Sequence, residues 1–359
     1  MTTTISIAGR PICDSEPPFV IAEISGNHNG EIERAFRLVD AAKQAGADAV
    51  KFQTYTADTI TIDHHGPGFV IEGGLWDGRS LHDLYREAHT PWDWHPALFE
   101  HARQIDIIPF SSPFDPTAVD LLESLNAPAY KIASFEIVDI PLIEYAAATG
   151  KPLIISTGMA SDGDVSDAVE AVGRAGGPGP VLLHCVSGYP TPAEEANLPR
   201  MARLRAAHGA LVGLSDHTLG NAVAVAAAAL GAVVIEKHVT LDRADGGPDA
   251  AFSLEPDELA ALVRDVRAAH AAMRPVPGGS PESEQPNTIL RRSLYVVADI
   301  SAGEVFTKDN VRSIRPGYGL APKLLRRVLG ERATADLKRG TPLASHHVSA
   351  FSDTKNGVL

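Results

Sequence analysis

From Phe19 to about Met273, short runs of β-branched and apolar residues alternate with stretches whose apolar positions recur every three to four residues. The runs are FVIAEIS (19–25), AVKFQTY (49–55), IIPFSSP (107–113), AYKIASF (129–135), PLIISTG (152–158), PVLLHCVS (180–187), LVGLSDHT (211–218) and VVIEKHVT (233–240). Periodicity predicts helices over 31–46, 92–106, 161–176 and 257–273, the last presenting Leu259, Leu262, Val263, Val266 and Ala269 on one face. Strand–helix alternation of this kind predicts a parallel sheet. Eight units in about 255 residues match the size at which a (β/α)8 TIM barrel closes, whereas an open doubly wound sheet has no reason to stop at eight.

Two segments break the alternation. Residues 63–91 form a long insert with HHGPGF, EGGLWDG and a short helical stretch, and barrel loops of that length are usually functional. The Pro/Gly-rich stretch MRPVPGGSPESEQPN (273–287) is expected to separate two domains. The expected organisation is a barrel over 1–274, a linker over 275–289, a small β-rich domain over 290–350 and a tail over 351–359. Within the second domain ADISAGEVFTKDNV (298–311) echoes ADLKRGTPLASHHV (335–348), sharing Ala-Asp, a Gly at the sixth place and a Val at the last. The echo suggests a pseudo-symmetric fold.

The 359 residues are 44 % apolar and 21 % charged, close to the globular average, which excludes a disordered or fibrous chain. The formal charge of −14 argues against a nucleic-acid partner. It is unevenly divided: residues 288–359 carry 12 Lys and Arg against 6 Asp and Glu, a local +6 beside −20 elsewhere. Two cysteines, Cys13 and Cys185, rule out a disulfide framework and a structural zinc site. The longest apolar stretch, Ala222 to Ile235, is 14 residues with a glycine inside, too short to span a bilayer. No basic segment followed by an apolar run opens the chain, so the expectation is a cytoplasmic protein without a membrane anchor.

Active sites of such barrels lie at the C-terminal strand ends. Here those ends carry Glu23, Ser25, Asn27 and His28; Lys51, Gln53 and Tyr55; Ser111 and Ser112; Lys131 and Ser134; Ser156 and Thr157; Ser187 and Tyr189; Ser215, Asp216 and His217; and Glu236 and His238. Lys51 and Lys131 among serine hydroxyls suit a phosphate or a phosphorylated carboxylate, or else pair with Glu23 and Glu236. His217 and His238 end neighbouring strands and could hold a divalent metal with Asp216 and Glu236 beside them, leaving positions open for substrate and water. His64, His65, His82, His89, His95 and His101 read as surface or packing residues, and Cys185 as an inert buried thiol. No Walker loop, dinucleotide fingerprint or HExxH occurs.

The motifs AEISGNHNG (22–30), KFQTYTAD (51–58), FSSPF (110–114), YKIAS (130–134), STGMA (156–160), HCVSGYPTP (184–192), GLSDHT (213–218) and EKHVT (236–240) resemble the sialic acid synthase family. RRSLYVVADISAGE (291–304) and IRPGYGL (314–320) resemble that family's antifreeze-like SAF domain. Within the family, KFQTYTAD, EGGLWDGRSLHDLY and TPWDWH look most like pseudaminic acid synthases.

The resemblance implies a carbon–carbon bond-forming transferase that condenses phosphoenolpyruvate with an N-acetylated amino sugar. Phosphoenolpyruvate would be held by Lys51, Ser112, Lys131, Ser134, Ser156, Ser187 and Ser215. Ser112 and Ser187 stand where sialate synthases carry threonine and asparagine. His217 and His238 match the ligands of Mn2+ or Mg2+; Gln53, Tyr189, Glu236 and Asp249 match residues around the sugar; Glu23 matches a carboxylate near the reacting carbon. Arg315 matches an SAF arginine that reaches the sugar in the other subunit's barrel, implying a domain-swapped homodimer. The expected substrate is 2,4-diacetamido-2,4,6-trideoxy-L-altrose, giving pseudaminic acid for surface glycans. The alternatives are N-acetylneuraminate or legionaminic acid synthesis, or a non-catalytic carbohydrate- or ice-binding protein.

Overall fold

A computed structural model of the chain describes residues 4–279 and 281–351. The chain divides into two units between Arg274 and Pro275. The expected tail beyond Phe351 lies outside the described residues.

The first unit opens with an antiparallel hairpin, β1 (Ile5–Ile7) and β2 (Arg10–Ile12), which the sequence reading did not contain. Eight parallel strands follow: β3 (Phe19–Glu23), β4 (Ala49–Thr54), β5 (Ile108–Pro113), β6 (Tyr130–Ile132), β7 (Leu153–Ser156), β8 (Val181–Cys185), β9 (Leu211–Asp216) and β10 (Val234–His238). They close into one barrel, with β10 hydrogen-bonded to β3 from Val234↔Phe19 to His238↔Glu23. All eight expected strands are present, each shorter than the apolar run that signalled it. The helices are α1 (Ile32–Ala45), α2 (Ala57–Ile60), α3 (Leu81–Ala88), α4 (His95–Gln104), α5 (Pro116–Ser124), α6 (Ile140–Ala147), α7 (Asp162–Arg174), α8 (Pro199–His208), α9 (Ala222–Ala229) and α10 (Pro256–Ala272).

Local chemistry sets their ends. The Asp115 side chain accepts from the Ala118 amide and Pro116 fills the first turn of α5. Ser161 and Asp164 form a reciprocal capping box on α7. Gly46, at φ 85°, ends α1 in the left-handed conformation that needs no Cβ.

Side-chain alternation along the strands builds two cores. Val20, Ala22, Val50, Phe52, Ile155, Leu182, Val212 and Ile235 face the helices and pack with residues such as Leu38, Leu98, Leu262 and Val266. Phe19, Ile21, Ala49, Phe110, Ile154, Val181, Leu183, Leu211 and Val234 fill the N-terminal part of the barrel, packed with Ile5, Ile7 and Ile12 of the hairpin. The hairpin therefore plugs the end opposite the polar strand ends. Gly213 belongs to this parity, and a Cβ there would lie 2.4 Å from the Val234 carbonyl oxygen and 2.7 Å from Leu183 Cδ2.

The second unit holds a run of 3₁₀ turns at Glu282–Leu290, the antiparallel pair β11 (Ser293–Val296) and β12 (Val311–Ile314), and a single-turn helix, α11 (Leu325–Val328). Its core includes Leu294, Val296, Ile300, Phe306, Val311, Val328, Leu343 and Val348. The sequence echo is a structural twofold. Ile300 and Leu337, third in each copy, exchange both backbone hydrogen bonds, at 2.9 and 2.8 Å. Gly303, sixth in the first copy, donates to the Ala333 carbonyl, and Gly340, sixth in the second, donates to Val296, each at 2.8 Å.

Gly213→Ala forces β9 away from β10 and is expected to lower stability by about 1–3 kcal/mol, measured by chemical denaturation of the full chain.

Candidate active site

The same alternation decides what lies above the apolar plug. Two residues beyond Ile21, Ala49, Ala129 and Val234, the inward positions become Glu23, Lys51, Lys131 and Glu236, all nearly inaccessible. The Lys51 ammonium sits 2.8 Å from Glu23 Oε2 and 3.1 Å from Glu236 Oε2. The Lys131 ammonium is 3.9 Å from Glu236 Oε1 and donates to the Ile132 carbonyl at 3.0 Å. Ser215 donates to Glu236 Oε1 at 2.9 Å, and Ser112 Oγ lies 3.5 Å from Lys51 Nζ. Unmatched, each such charge would cost several kcal/mol. Burial works to neutralise Glu236, but Lys131 and Lys51 outweigh it and hold the carboxyl below its ordinary range. Burial pulls Lys51 down to about 8, against the attraction of Glu236. Lys51 and Lys131 thus converge with both glutamates.

Beside the lysines is a cluster of hydroxyls. Ser134 Oγ accepts from the Gly158 amide at 3.1 Å, while Ser156 Oγ and Ser187 Oγ are buried without a hydrogen-bond partner. A Cβ on Gly158 would stand 2.3 Å from Ser187 Oγ and 2.7 Å from Ser134 Oγ, so glycine keeps this cradle open. A cavity of about 400 Å³ adjoins it, lined in part by Met159, Cys185, Ser187, Asn197 and Arg200. Ammonium groups and unpartnered hydroxyls are the donor chemistry that suits a polyoxygenated anion.

His217 and His238, ending adjacent strands, stand with ring centroids 5.4 Å apart. His217 Nδ1 lies 2.9 Å from the Val186 carbonyl oxygen and must donate to it, which leaves Nε2 with the free lone pair. His238 Nδ1 is buried without a hydrogen-bond partner, 3.8 Å from Asp249 Oδ2. Burial, then the charges of His217 and Lys51, drive the His238 pKa well down and keep this imidazole neutral. Among the described residues no set of three or more His, Cys, Asp and Glu side chains is arranged around a metal ion. The donor chemistry nonetheless fits a divalent ion carried by two imidazoles, with water and substrate completing its shell. Burial disfavours protonation of His217, but Cys185 and the Val186 carbonyl outweigh it and raise its pKa, so a proton would compete with any metal ion for this ring.

An aromatic wall completes this end. The Tyr189 ring is 4.5 Å from His217 and 5.2 Å from Phe252, which in turn lies 5.0 Å from His238. Trp76 of the insert packs 5.6 Å from Tyr189, and its indole donates to the Pro248 carbonyl at 3.0 Å. The 63–91 insert therefore reaches the loops that follow β8 and β10. Gln53 Nε2 donates to Glu23 Oε1 at 3.1 Å, and Asp249 accepts from Ser25.

Three expectations change. Asp216 does not stand beside the histidines: it follows inward Ser215, so alternation turns it outward, where it pairs with Lys237 at 2.6 Å. Lys237 also donates to the Thr218 carbonyl at 2.5 Å, and both side chains of the pair are essentially inaccessible. Cys185 is not inert packing, since its Sγ points inward, 3.8 Å from His217 Nδ1. Burial raises its thiol, but His217 outweighs this and lowers the pKa. Ser111 faces the helices, bonded to Thr54 at 2.7 Å, and leaves Ser112 as the inward serine of β5. Arg315 follows β12 in the second unit, with an exposed side chain.

Glu136 escaped the sequence reading. The expected strand 129–135 ends early, at Ile132, and a 3₁₀ turn at Ser134–Val138 buries Glu136 Oε2 without a hydrogen-bond partner. Burial raises its pKa to about 7, with Lys131 pulling the other way. The signal available beforehand was only its position five residues after Lys131.

The NeuB family pattern matches residues 38–276 and the SAF domain pattern matches 291–349. The chain is 42 % identical over 334 residues to the pseudaminic acid synthase of Helicobacter pylori, covering 93 % of this chain and 98 % of that protein. It is 43 % identical over 325 residues to the pseudaminic acid synthase of Campylobacter jejuni, covering 90 % and 95 %. The crystal structure of N-acetylneuraminic acid (sialic acid) synthetase from Leptospira borgpetersenii, bound to citrate, superposes with a TM-score of 0.71 at 32 % identity, over 80 % of this chain and 95 % of that one.

Lys237→Met leaves Asp216 buried and unpaired and is expected to cost about 3–5 kcal/mol of stability, most of it restored in the double variant Asp216→Leu/Lys237→Met; denaturant titration of the three proteins checks this. Glu136 carries a folded-state pKa above its ordinary 4.5, so the folded state holds the proton longer. Its contribution to stability is present at low pH and is lost as pH rises from about 4.5 through about 7. Glu136→Gln should therefore gain on the parent protein by about 2–3 kcal/mol across that window, measured by denaturation at pH 4.5, 6 and 8.

Proposed function

We propose, for a chain that belongs to the NeuB family, the reaction of a pseudaminic acid synthase: phosphoenolpyruvate, 2,4-diacetamido-2,4,6-trideoxy-L-altrose and water giving pseudaminic acid and phosphate. The observation that carries this reading is the pair of pseudaminic acid synthases at 42 and 43 % identity over nine-tenths or more of the chain. The anion pocket and the two imidazoles supply the chemistry that such a condensation needs.

In this reading Lys51 and Lys131 take the carboxylate and phosphate of phosphoenolpyruvate, with Ser112, Ser134, Ser156, Ser187 and Ser215 donating hydrogen bonds. The unpartnered hydroxyls of Ser156 and Ser187 support it. The arriving anion replaces part of the carboxylate charge around Lys51, so the ammonium exchanges one anionic partner for another without being left bare. His217 and His238 would hold Mn2+ or Mg2+, whose chemistry is to polarise the aldehyde oxygen of the open-chain sugar. Tyr189, Gln53, Glu236 and Asp249 orient the sugar, and Glu23 lies against the reacting carbons.

Carbon 3 of phosphoenolpyruvate forms the new bond to the aldehyde carbon with the electron pair of its double bond, and the aldehyde oxygen takes a proton. Water adds to carbon 2, and the carbon–oxygen bond to phosphate breaks with its electron pair leaving on phosphate, which carries off one water proton as the ketone forms; the other water proton, matching the one the aldehyde oxygen takes, is given up. Glu136, with a pKa near 7 and within reach of the charge on Lys131, is suited to receive that proton. Holding both substrates in a reactive pose is the main contribution available to the protein, worth up to roughly 7–11 kcal/mol. The reading includes a cytoplasmic homodimer in which Arg315 of one copy serves the barrel of the other.

The test is phosphate release by the full chain with phosphoenolpyruvate, Mn2+ and each of three amino sugars. Release is expected with the L-altrose sugar, and Lys51→Met should lower kcat/KM by about 10²–10³-fold. Release with N-acetylmannosamine alone moves the chain to N-acetylneuraminate synthesis, and release with the legionaminic acid precursor alone moves it to that pathway. Release with none supports a non-catalytic role.

A further inference from the structure

Ser25 lies just past β3, at the end of the sugar side of the pocket. Its φ is +48°, in the left-handed region that glycine enters freely and residues with a Cβ rarely do. It is buried. Its hydroxyl stands between two groups from different parts of the barrel: Gln53 Nε2 on β4, at 3.1 Å, and Asp249 Oδ2 in the loop after β10.

The hydrogen bonds run in one direction. A carboxylate only accepts, so Gln53 must turn its amide nitrogen toward Glu23 Oε1, and its second hydrogen goes to Ser25 Oγ. Ser25 then has its own hydrogen to give, and Asp249 receives it. The order is Glu23 accepting from Gln53, Gln53 donating to Ser25, and Ser25 donating to Asp249. Both donors of the Gln53 amide and that of Ser25 are consumed, and Glu23 is taken up by Gln53 and Lys51, so what this wall still offers a ligand is acceptor lone pairs on the Gln53 carbonyl oxygen and the Asp249 carboxylate.

We propose that Ser25 is a positioning residue that makes this wall of the pocket an acceptor surface, selecting ligands that present N–H or O–H donors, such as the acetamido N–H and hydroxyl groups of an amino sugar. The inference rests on the reaction proposed above, since it takes Gln53 and Asp249 as sugar contacts. Glycine would hold the same backbone without strain but could not fix Gln53 and Asp249. The left-handed serine is retained for its hydroxyl.

The experiment compares Ser25→Gly and Ser25→Ala with the parent chain in steady-state kinetics and thermal melting. Both variants should raise KM for the amino sugar at least tenfold while leaving KM for phosphoenolpyruvate within twofold, a split that a merely structural residue would not give. Ser25→Gly should melt above Ser25→Ala, reversing the usual order of those residues, because only alanine keeps a Cβ at positive φ. An active parent with sugar KM unchanged in both variants overturns the role of Ser25 and leaves the reaction standing. A rise of both KM values together, with Ser25→Ala the more stable variant, makes Ser25 a structural loop residue. A parent inert with all three amino sugars removes the reaction and the role of Ser25 together.

Discussion

The Lys51 ammonium, held between Glu23 and Glu236 inside a closed barrel, is the interaction on which the rest of the site depends. Strand register brings it about: Glu23 and Lys51 are direct neighbours across β3 and β4, and Glu236 is opposite Ile21 on the other side of β3. The first, second and eighth barrel strands meet only if the sheet closes. A site with four charged side chains at nearly zero exposure survives because each charge has an opposite one within about 4 Å. In the reaction proposed above, this network reorganises when the anionic substrate enters.

Two-residue alternation divides the labour along every strand. On β10, Val234, Glu236 and His238 face inward as plug, charge partner and imidazole, while Ile235 and Lys237 face outward as core and tie. The outward Lys237–Asp216 pair joins the two strands that carry His238 and His217, so the spacing of the imidazoles is backed by a buried ion pair behind them. The hairpin seals the opposite end with Ile5, Ile7 and Ile12, which allows the polar end to be open without the barrel being a pore.

The second unit follows a different economy. A unit of some 85 residues has little core, and here two copies of one short pattern share it around a twofold, each satisfying the backbone of the other at Ile300 and Leu337. Its excess of positive charge, set against an acidic barrel, is a property of the sequence alone.

Much was determined by the sequence by itself: eight strands in order, the helices whose apolar faces recur at 3.6 residues, the twofold echo, and the family motifs at the strand ends. These are local signals, and periodicity, caps and turns are local physics. Only the tertiary structure decided which of two adjacent polar residues faces the chemistry, because a one-residue change in where a strand begins exchanges its two faces. Ser111 and Asp216 were thus assigned to a site that belongs to their neighbours Ser112, Ser215 and His217. Glu136 does not stand out in the sequence as a functional group, and Ser25 stands there only as one strand-end hydroxyl among several. The first depends on a strand ending early and the second on a backbone turning left-handed, and burial, strain and the absence of a partner exist only once distant segments have closed around a side chain.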